Sequence, residues 1–357
     1  MATKTFENAK KNKADEFYTQ WIDIECEIQA YIEYNPDVFR GKTVLCPCDD
    51  PFESNFFKFF ALHFNKFGLK KLIATCYIGS PIASTQLTLF DYEPDENKTT
   101  RTPHKIVITD VADYNDDGAV NLSDVEWLLA NKKNALTRLG GDGDFRSNEI
   151  KALRDEADFV ITNPPFSLFR EFMLWITDAD KQYLVISNMN AITYKEIFPL
   201  IKENRMWMGL GFGRNFKGFI VPKSYPLNGS EARIDEQGNR IVSTNNTIWL
   251  TNIDHGRRHQ PLQLMTMDKN LKLSKHKEIK GKNSYDMYDN YDAIEVPFTD
   301  AIPSDYDGVM GVPISFLHKY CPEQFEIIKF RKGDDDKDLS VRGKCPYFRI
   351  LIKHKSS

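Results

Sequence analysis

The segment that most constrains this chain is Phe159-Val-Ile-Thr162, followed at once by Asn163-Pro-Pro-Phe166. Four apolar or β-branched residues in a row fit a strand buried on both faces, as in a parallel sheet. The two prolines end it: each lacks an N–H and fixes its own φ, and a residue before proline is driven out of the α region. Asn163 therefore leaves the strand extended, its amide and the neighbouring carbonyls directed beyond the sheet. In open α/β sheets that space, outside the carboxyl ends of the strands, is the ligand crevice.

The preceding chain supplies the rest of such a sheet. Thr43 to Cys48 reads as a first strand, Asn55 to Phe67 as an apolar helix and Leu69 to Tyr77 as a second strand. Asn148–Glu156, Leu168–Ile176 and Ile192–Lys202 read as helices, and Gln182–Ser187 as a further strand. Strands alternating with helices over 43–204 predict an α/β fold with a mostly parallel sheet. Gly79 to Thr102 is polar and reads as part of an insertion near 79–139, with Lys105–Val111 a candidate strand inside it. Helical spacing of Trp21, Ile24, Ile28 and Ile32 predicts a helix over 21–34.

The Asn163-Pro164-Pro165-Phe166 turn has a chemical use and a plain structural one. An adenine amine is a poor nucleophile because its lone pair is delocalised into the ring. An amide oxygen at Asn163 and the Pro164 carbonyl can accept both amine hydrogens, drawing that lone pair toward a methyl donor, while Phe166 stacks on the base. In a duplex the base must first be everted. The plain alternative is a rigid turn in which Asn163 caps the next helix.

The first strand ends in Cys48-Asp49-Asp50-Pro51 with Ser54 close behind, not in a glycine-rich turn. Donor contacts are therefore sought in the acidic turn, against the alternative of solvent-facing turn acids. Gly140-Gly-Asp142-Gly-Asp144-Phe145-Arg146 is a second candidate loop. Its carboxylates would accept from an amine, Phe145 would stack, and the glycines permit close backbone approach. Asp113 to Asp124 matches several ligand places of a calcium loop but closes with Asp instead of Glu, so a capped acidic loop is preferred to bound calcium.

Composition narrows the class. The 357 residues are 41% hydrophobic, which supports a two-domain globular chain. Six irregularly spaced cysteines fit reduced thiols, no metal-ligand set is recognisable, and no apolar run reaches membrane length. The opening residues do not read as a secretory signal, so a cytoplasmic protein, most simply a monomer, is expected. The net charge of −4 is uneven: residues 1–200 carry −9 and 201–357 carry +5. A polyanion is thus expected on the C-terminal part. Candidate contacts are Arg214, Asn215, Phe216 and Lys217 in a glycine-rich loop, Arg257 and Arg258, and Lys275, Lys277 and Lys280 in the lysine run 269–282. A solvated charged face is the competing reading of that run.

With these residues in place, the chain resembles the EcoRI-type adenine-specific DNA methyltransferases over nearly its whole length. The likeness is carried by Asp15-Glu-Phe17-Tyr18-Thr19-Gln20, Cys48-Asp-Asp-Pro51 with Ser54-Asn-Phe-Phe57, Gly141-Asp-Gly-Asp-Phe-Arg-Ser147, Asn163-Pro-Pro-Phe-Ser-Leu-Phe-Arg170 and Gly311-Val-Pro-Ile. The resemblance implies a class I, Rossmann-like methyltransferase using S-adenosylmethionine, with catalysis at Asn163, Pro164, Pro165 and Phe166. It places donor contacts around Phe17, Tyr18, Thr19, Asp49, Asp50, Thr75, Cys76, Asp144 and Phe145. Residues 1–34 would contribute to the donor pocket, 35–204 would form the catalytic domain, and 205–357 would read double-stranded DNA. It leaves open a cognate restriction endonuclease as partner. Asn-Pro-Pro-Phe also occurs in RNA and glutamine methyltransferases, and a non-catalytic DNA-binding protein is a third reading. A cytosine carbon-5 enzyme needs a Pro-Cys nucleophile, but Pro47-Cys48 lies on the donor side.

Overall fold

A computed structural model gives the fold and describes residues 18–49, 54–76, 103–114, 118–131, 136–212, 216–221, 232–242 and 246–355. The chain divides into two compact units, residues 1–190 with 209–253 and residues 191–208 with 254–357. Residues 209–253, which the sequence grouped with the C-terminal region, thus pack with the first unit.

In the first unit β1 (Tyr18–Thr19), α1 (Trp21–Tyr34), β2 (Thr43–Cys46), α2 (Asn55–Leu62), α3 (Phe64–Phe67) and β3 (Lys71–Thr75) come first. They are followed by β4 (His104–Ile108), α4 (Leu122–Asn131), β5 (Leu136–Arg138), α5 (Asn148–Glu156), β6 (Phe159–Thr162), α6 (Phe169–Thr177) and β7 (Gln182–Asn188). α7 (Phe198–Lys202) belongs to the second unit, and after it the chain forms β8 (Trp207–Phe212), β9 (Phe219–Val221), β10 (Ala232–Ile234), β11 (Arg240–Val242) and β12 (Thr247–Thr251). The main sheet has the order β5-β4-β3-β2-β6-β7-β12-β8. Its centre is parallel: Val44 stands opposite Leu72 of β3 on one side and Phe159 of β6 on the other, and β6 continues parallel into β7. At the flanks β4, β5 and β12 run antiparallel, so the sheet is mixed at its edges.

The chain builds outward from β2 to β3 and later returns to its other side with β6. The sheet therefore has its switch point between β2 and β6, the position at which open α/β sheets bind ligands. Every residue of those two strands is buried, as their unbroken apolar runs require. Helix α2 packs on the sheet with Phe56, Phe57, Phe59 and Phe60, all at most 2% exposed. Truncating any of these rings to alanine would cost about 3–5 kcal/mol.

Three expectations are corrected. The helix expected over Asn55–Phe67 breaks at His63 into α2 and α3. The one expected over Ile192–Lys202 is a 3-10 turn at Met189–Thr193 followed by α7, which begins beside Pro199 because proline is tolerated only in a first turn. The glycine-rich stretch after Met206, expected as a loop, contains β8. Gly209 and Gly211 are there for packing: a Cβ would lie 2.0 Å from a Glu27 oxygen at the first and 2.8 Å from the Trp249 ring at the second.

The second unit carries α8 (Met267–Leu273) and a sheet of order β13-β14-β16-β15, formed by Ala293–Glu295, Val309–Pro313, Arg349–His354 and Phe325–Phe330 respectively. Gly311 in β14 lies under Tyr288, whose hydroxyl would be 2.0 Å from an added Cβ. That hydroxyl donates to Glu295, which also accepts from Arg349 at 2.6 and 2.9 Å. Gly311-Val-Pro-Ile is thus a packing motif around a buried ion pair. Among the described residues no helix is long and apolar enough to cross a membrane.

Candidate active site

The turn after β2 is organised by Asp49, only 6% exposed. Its Oδ1 accepts from Ser54 Oγ at 2.6 Å and its Oδ2 from Thr162 Oγ1 at 2.5 Å. Ser54 in turn caps α2, accepting from the N–H groups of Phe56 and Phe57. The Asp49 N–H donates to the Thr75 carbonyl at 3.2 Å, and Thr75 Oγ1 donates to the Pro47 carbonyl at 2.9 Å. One carboxylate thus ties the carboxyl ends of β2 and β6 together, with the end of β3 joined through the backbone. Asp49 organises the turn from within, a different use from the solvent-facing acid that turn statistics allow.

Asn163 follows directly on Thr162 and is half-buried at this end of β6, with Pro164 buried and Pro165 and Phe166 half-buried. The Phe166 ring meets the edge of Phe219, centroids 6.1 Å apart at 78°. Phe219 lies in β9, which pairs antiparallel with β1, setting Thr19 opposite Phe219 and Tyr18 opposite Ile220. The Thr19 carbonyl also accepts from Asn55 Nδ2 at 2.8 Å, at the start of α2. The segment containing Tyr18 and Thr19 is thereby fixed against both the acidic turn and the aromatic side of Phe166.

The glycine loop reaches the same end of the sheet. Gly143 takes φ +78°, and a Cβ there would be 2.3 Å from the Cys76 carbonyl, so only glycine lets the loop lie on the end of β3. Asp142 Oδ1 accepts the Asp144 N–H at 3.0 Å. Asp144 is gripped by Arg146 through Nε at 2.9 Å and a second guanidinium nitrogen at 2.6 Å, and this pairing holds its carboxyl below the ordinary carboxylate range. Arg146 also donates to Glu171 at 3.0 Å. Phe145 corrects its expectation: 5% exposed, it packs edge-on to Phe172 and Trp175, anchoring the loop instead of offering a face for stacking. Burial first, then the charge of Asp49, holds the Cys48 thiol well above its ordinary range, so it is no thiolate nucleophile. Phe17, Asp50 and Pro51 lie outside the described residues, as do Arg214 and Asn215.

The candidate DNA contacts separate into two kinds. Phe216 in the first unit is 5% exposed and packs on Phe219 and Trp249, so it is a core residue and cannot hold a base. Lys217 is exposed, its backbone N–H held by the Asp23 carboxylate at 3.0 and 3.1 Å. In the second unit Arg258 is 8% exposed, lies 3.6 Å over the Trp207 ring and donates to Asp254 and Asn204. That arginine is structural and not open to phosphate. Arg257 donates to His318 Nε2 at 2.9 Å, burial keeping that imidazole neutral with a pKa down at about 4. Lys275 is exposed and paired with Asp300 at 2.7 Å, while Lys277 and Lys280 are exposed.

In the acidic loop, Asp124 is fully buried and its two oxygens accept the N–H groups of Tyr114 and Asn121 at 2.7 and 2.8 Å. They serve the backbone from a buried position, where a solvated acidic loop was expected; residues 115–117 lie outside the described residues. The sequence missed the roles of Thr162, Asn55 and two acids of α1, Asp23 and Glu27. The acids left a faint sign: they are spaced four apart beside the apolar stripe of Ile24 and Ile28, where a charge is unusual.

A mixed sheet with polar side chains gathered at the carboxyl ends beside its switch point defines a doubly wound α/β domain. The chain matches the model of the family described as adenine-specific methyltransferase EcoRI over residues 5–355. It is 49% identical to the type II methyltransferase M.EcoRI of Escherichia coli, covering 99% of this chain and 97% of that protein. It is 30% identical to the type II methyltransferase M.MpnI of Mycoplasma pneumoniae, covering 99% and 98% of the two chains. The same identity links it to the type II methyltransferase M.MgeORF184P of Mycoplasma genitalium, covering 98% of each. No solved structure matches the chain. The chain belongs to the adenine-specific methyltransferase EcoRI family and is an adenine-specific DNA methyltransferase.

Proposed function

We propose that the first unit is a class I methyltransferase domain that moves a methyl group from S-adenosylmethionine to the exocyclic amine of an adenine everted from duplex DNA. The observation that supports this most is the Thr162–Asp49 hydrogen bond at 2.5 Å, because it joins the residue just before Asn163 to the acidic turn. Asn163 Oδ1 and the Pro164 carbonyl accept the two amine hydrogens, which localises the nitrogen lone pair for attack. Phe166 stacks on the base, its ring backed by Phe219. No strong base is needed, since the amine sheds its proton only after becoming cationic.

The residues present fit the donor. Asp142 and Asp144, brought to the end of β3 by Gly143, offer carboxylates to cationic and hydroxyl groups, and Tyr18 and Thr19 wall the opposite side. When bound, S-adenosylmethionine supplies a methyl carbon made electrophilic by its positive sulfur. Arg146 keeps Asp144 ionised and oriented, and Ser54 with Thr162 holds Asp49 in its turn. Target reading is proposed for the segments after about residue 205, with Lys217, Lys275, Lys277 and Lys280 facing phosphate. The type II naming of the relatives extends the proposal to a cognate restriction endonuclease acting on the same site.

Incubating the protein with duplex DNA and donor labelled in its methyl group tests the reading. Label is expected on the adenine amine and is expected to vanish with Asn163→Ala. Label on cytosine, or transfer that survives the substitution, rejects it.

A further inference from the structure

Helix α1 carries two buried acids one turn apart, Asp23 at 7% and Glu27 at 1% exposure. Neither sits in the crevice, yet both reach across to the chain that leads into β9. Glu27 Oε1 accepts the Leu210 N–H at 2.9 Å and Oε2 the Gly211 N–H at 2.7 Å, while Tyr31 donates to Oε1 at 2.7 Å. Asp23 accepts the Lys217 N–H with both oxygens. The sequence makes room for this: a Cβ at position 209 would lie 2.0 Å from Glu27 Oε1. Burying two carboxylates is costly, and apolar residues on this helix face would pack at less expense. The cost is met here at Leu210 and Gly211 of β8 and at Lys217, which lies between Phe216 and Phe219.

We infer that Asp23 and Glu27 are positioning residues for methyl transfer: they hold Leu210 and Gly211 of β8 and Lys217 just before β9, and so set the Phe219 ring against Phe166. This rests on the reading of Asn163–Phe166 as the transfer site. The links among the described residues of the first unit run from Glu27 to Gly211, which lies against the Trp249 ring, from Trp249 to Phe216 at 6.4 Å, from Phe216 to Phe219 at 5.0 Å and from Phe219 to Phe166 at 6.1 Å, with Asp23 holding Lys217 beside them. Releasing either hold loosens the ring that backs the base-stacking wall, whereas the carboxylates proposed for the donor, Asp142 and Asp144, are held by their own loop and Arg146.

Asp23→Ala is the fold-safe variant, since it removes a buried charge and places a good helix former in α1. The duplex used carries the protein's own site, located by sequencing DNA that the wild-type enzyme has modified, with 2-aminopurine at the target adenine for the fluorescence arm. Per folded enzyme at saturating substrates, Asp23→Ala is expected to lower kcat at least fivefold and Glu27→Gln at least tenfold. The 2-aminopurine signal should weaken, and the Kd for S-adenosylmethionine should stay within twofold. Asp23→Ala should retain the wild-type melting temperature or exceed it. Phe219→Leu should reproduce the kcat loss. Unchanged kcat per folded enzyme in Asp23→Ala, or an equal loss of donor affinity, overturns the inference while the Asn163→Ala result still judges the transfer site separately.

Discussion

Thr162, the last residue of β6, donates its hydroxyl to Asp49, three residues beyond the end of β2, at 2.5 Å. Both side chains are buried, so this bond is not exchanged for water and its loss takes a donor from a buried carboxylate. Thr162→Val keeps the shape and removes the donor. The expected cost is about 1–3 kcal/mol in denaturant unfolding. Donor affinity should fall along with it, because the acidic turn loses its tie to β6. Calorimetric titration with S-adenosylmethionine, set beside a urea melt, checks both.

Arg146 gives a prediction of the opposite balance. The pair with Asp144 is half-exposed on the arginine side, so Arg146→Ala should cost less than about 1 kcal/mol at neutral pH. Asp144, however, loses the partner that holds its carboxyl low. A group with a depressed folded pKa stabilises above its unfolded pKa of 3.8 and loses that contribution as pH falls through the folded value. Wild type should therefore lose stability to the variant only below about pH 4. Donor affinity at pH 7.5 should drop severalfold in the variant, from lost orientation of Asp144, with the melting temperature nearly unchanged.

The basic residues of the second unit separate by burial. Arg258→Ala removes a buried cation stacked over Trp207 and takes a donor from Asn204, while Asp254 keeps His259, an expected loss of about 2 kcal/mol. Lys277→Ala and Lys280→Ala should leave unfolding unchanged. Each should weaken DNA binding and lower the salt slope of log K by about 1. Fluorescence anisotropy over a salt series distinguishes the two behaviours, and a slope unaltered by both lysine changes would remove them from the DNA surface.

What could be read in advance was local chemistry. The prolines after Asn163 dictate a strand end whatever surrounds them, and the apolar runs of β2 and β6 admit only a buried sheet. What could not be read was direction. An aromatic in a glycine loop points inward or outward with the same letters, and Phe145 and Phe216 both turned into the core. Arg258 looked like a phosphate ligand because Trp207, fifty-one positions earlier, gives no local sign of lying beneath it. The Glu27 clamp joins residues 183 positions apart, and only the unusual glycines of β8 mark its far end.

Cys48 tests the electrostatics of the crevice. Burial and the Asp49 charge hold its thiol above the ordinary range, whereas Cys26 and Cys345 are exposed. Since the thiolate is the reacting form, iodoacetamide at pH 8 should label Cys26 and Cys345 well before Cys48. Peptide mass spectrometry over a time course reads the order. Fast labelling at Cys48 would mean a crevice far more open and less negative than the Asp49 turn describes.

Asp23 carries a pH signature of its own. Burial raises its carboxyl from 3.8 to about 6, against the opposing pull of the Lys217 N–H and of the Lys217 and Arg233 charges. A raised folded pKa means that its favourable contribution is complete below 3.8 and is lost as pH rises through about 6. Between those values the unfolded chain has released a proton that the folded one keeps, a gap that corresponds to about 3 kcal/mol. Asp23→Asn, which still offers an oxygen to the Lys217 N–H, removes the titration. Its unfolding free energy should match wild type below pH 4 and exceed it above pH 6.5, by up to about 3 kcal/mol. Urea melts at pH 3.5, 5 and 7.5 measure the divergence, and parallel curves would show that Asp23 ionises as an ordinary surface carboxylate does.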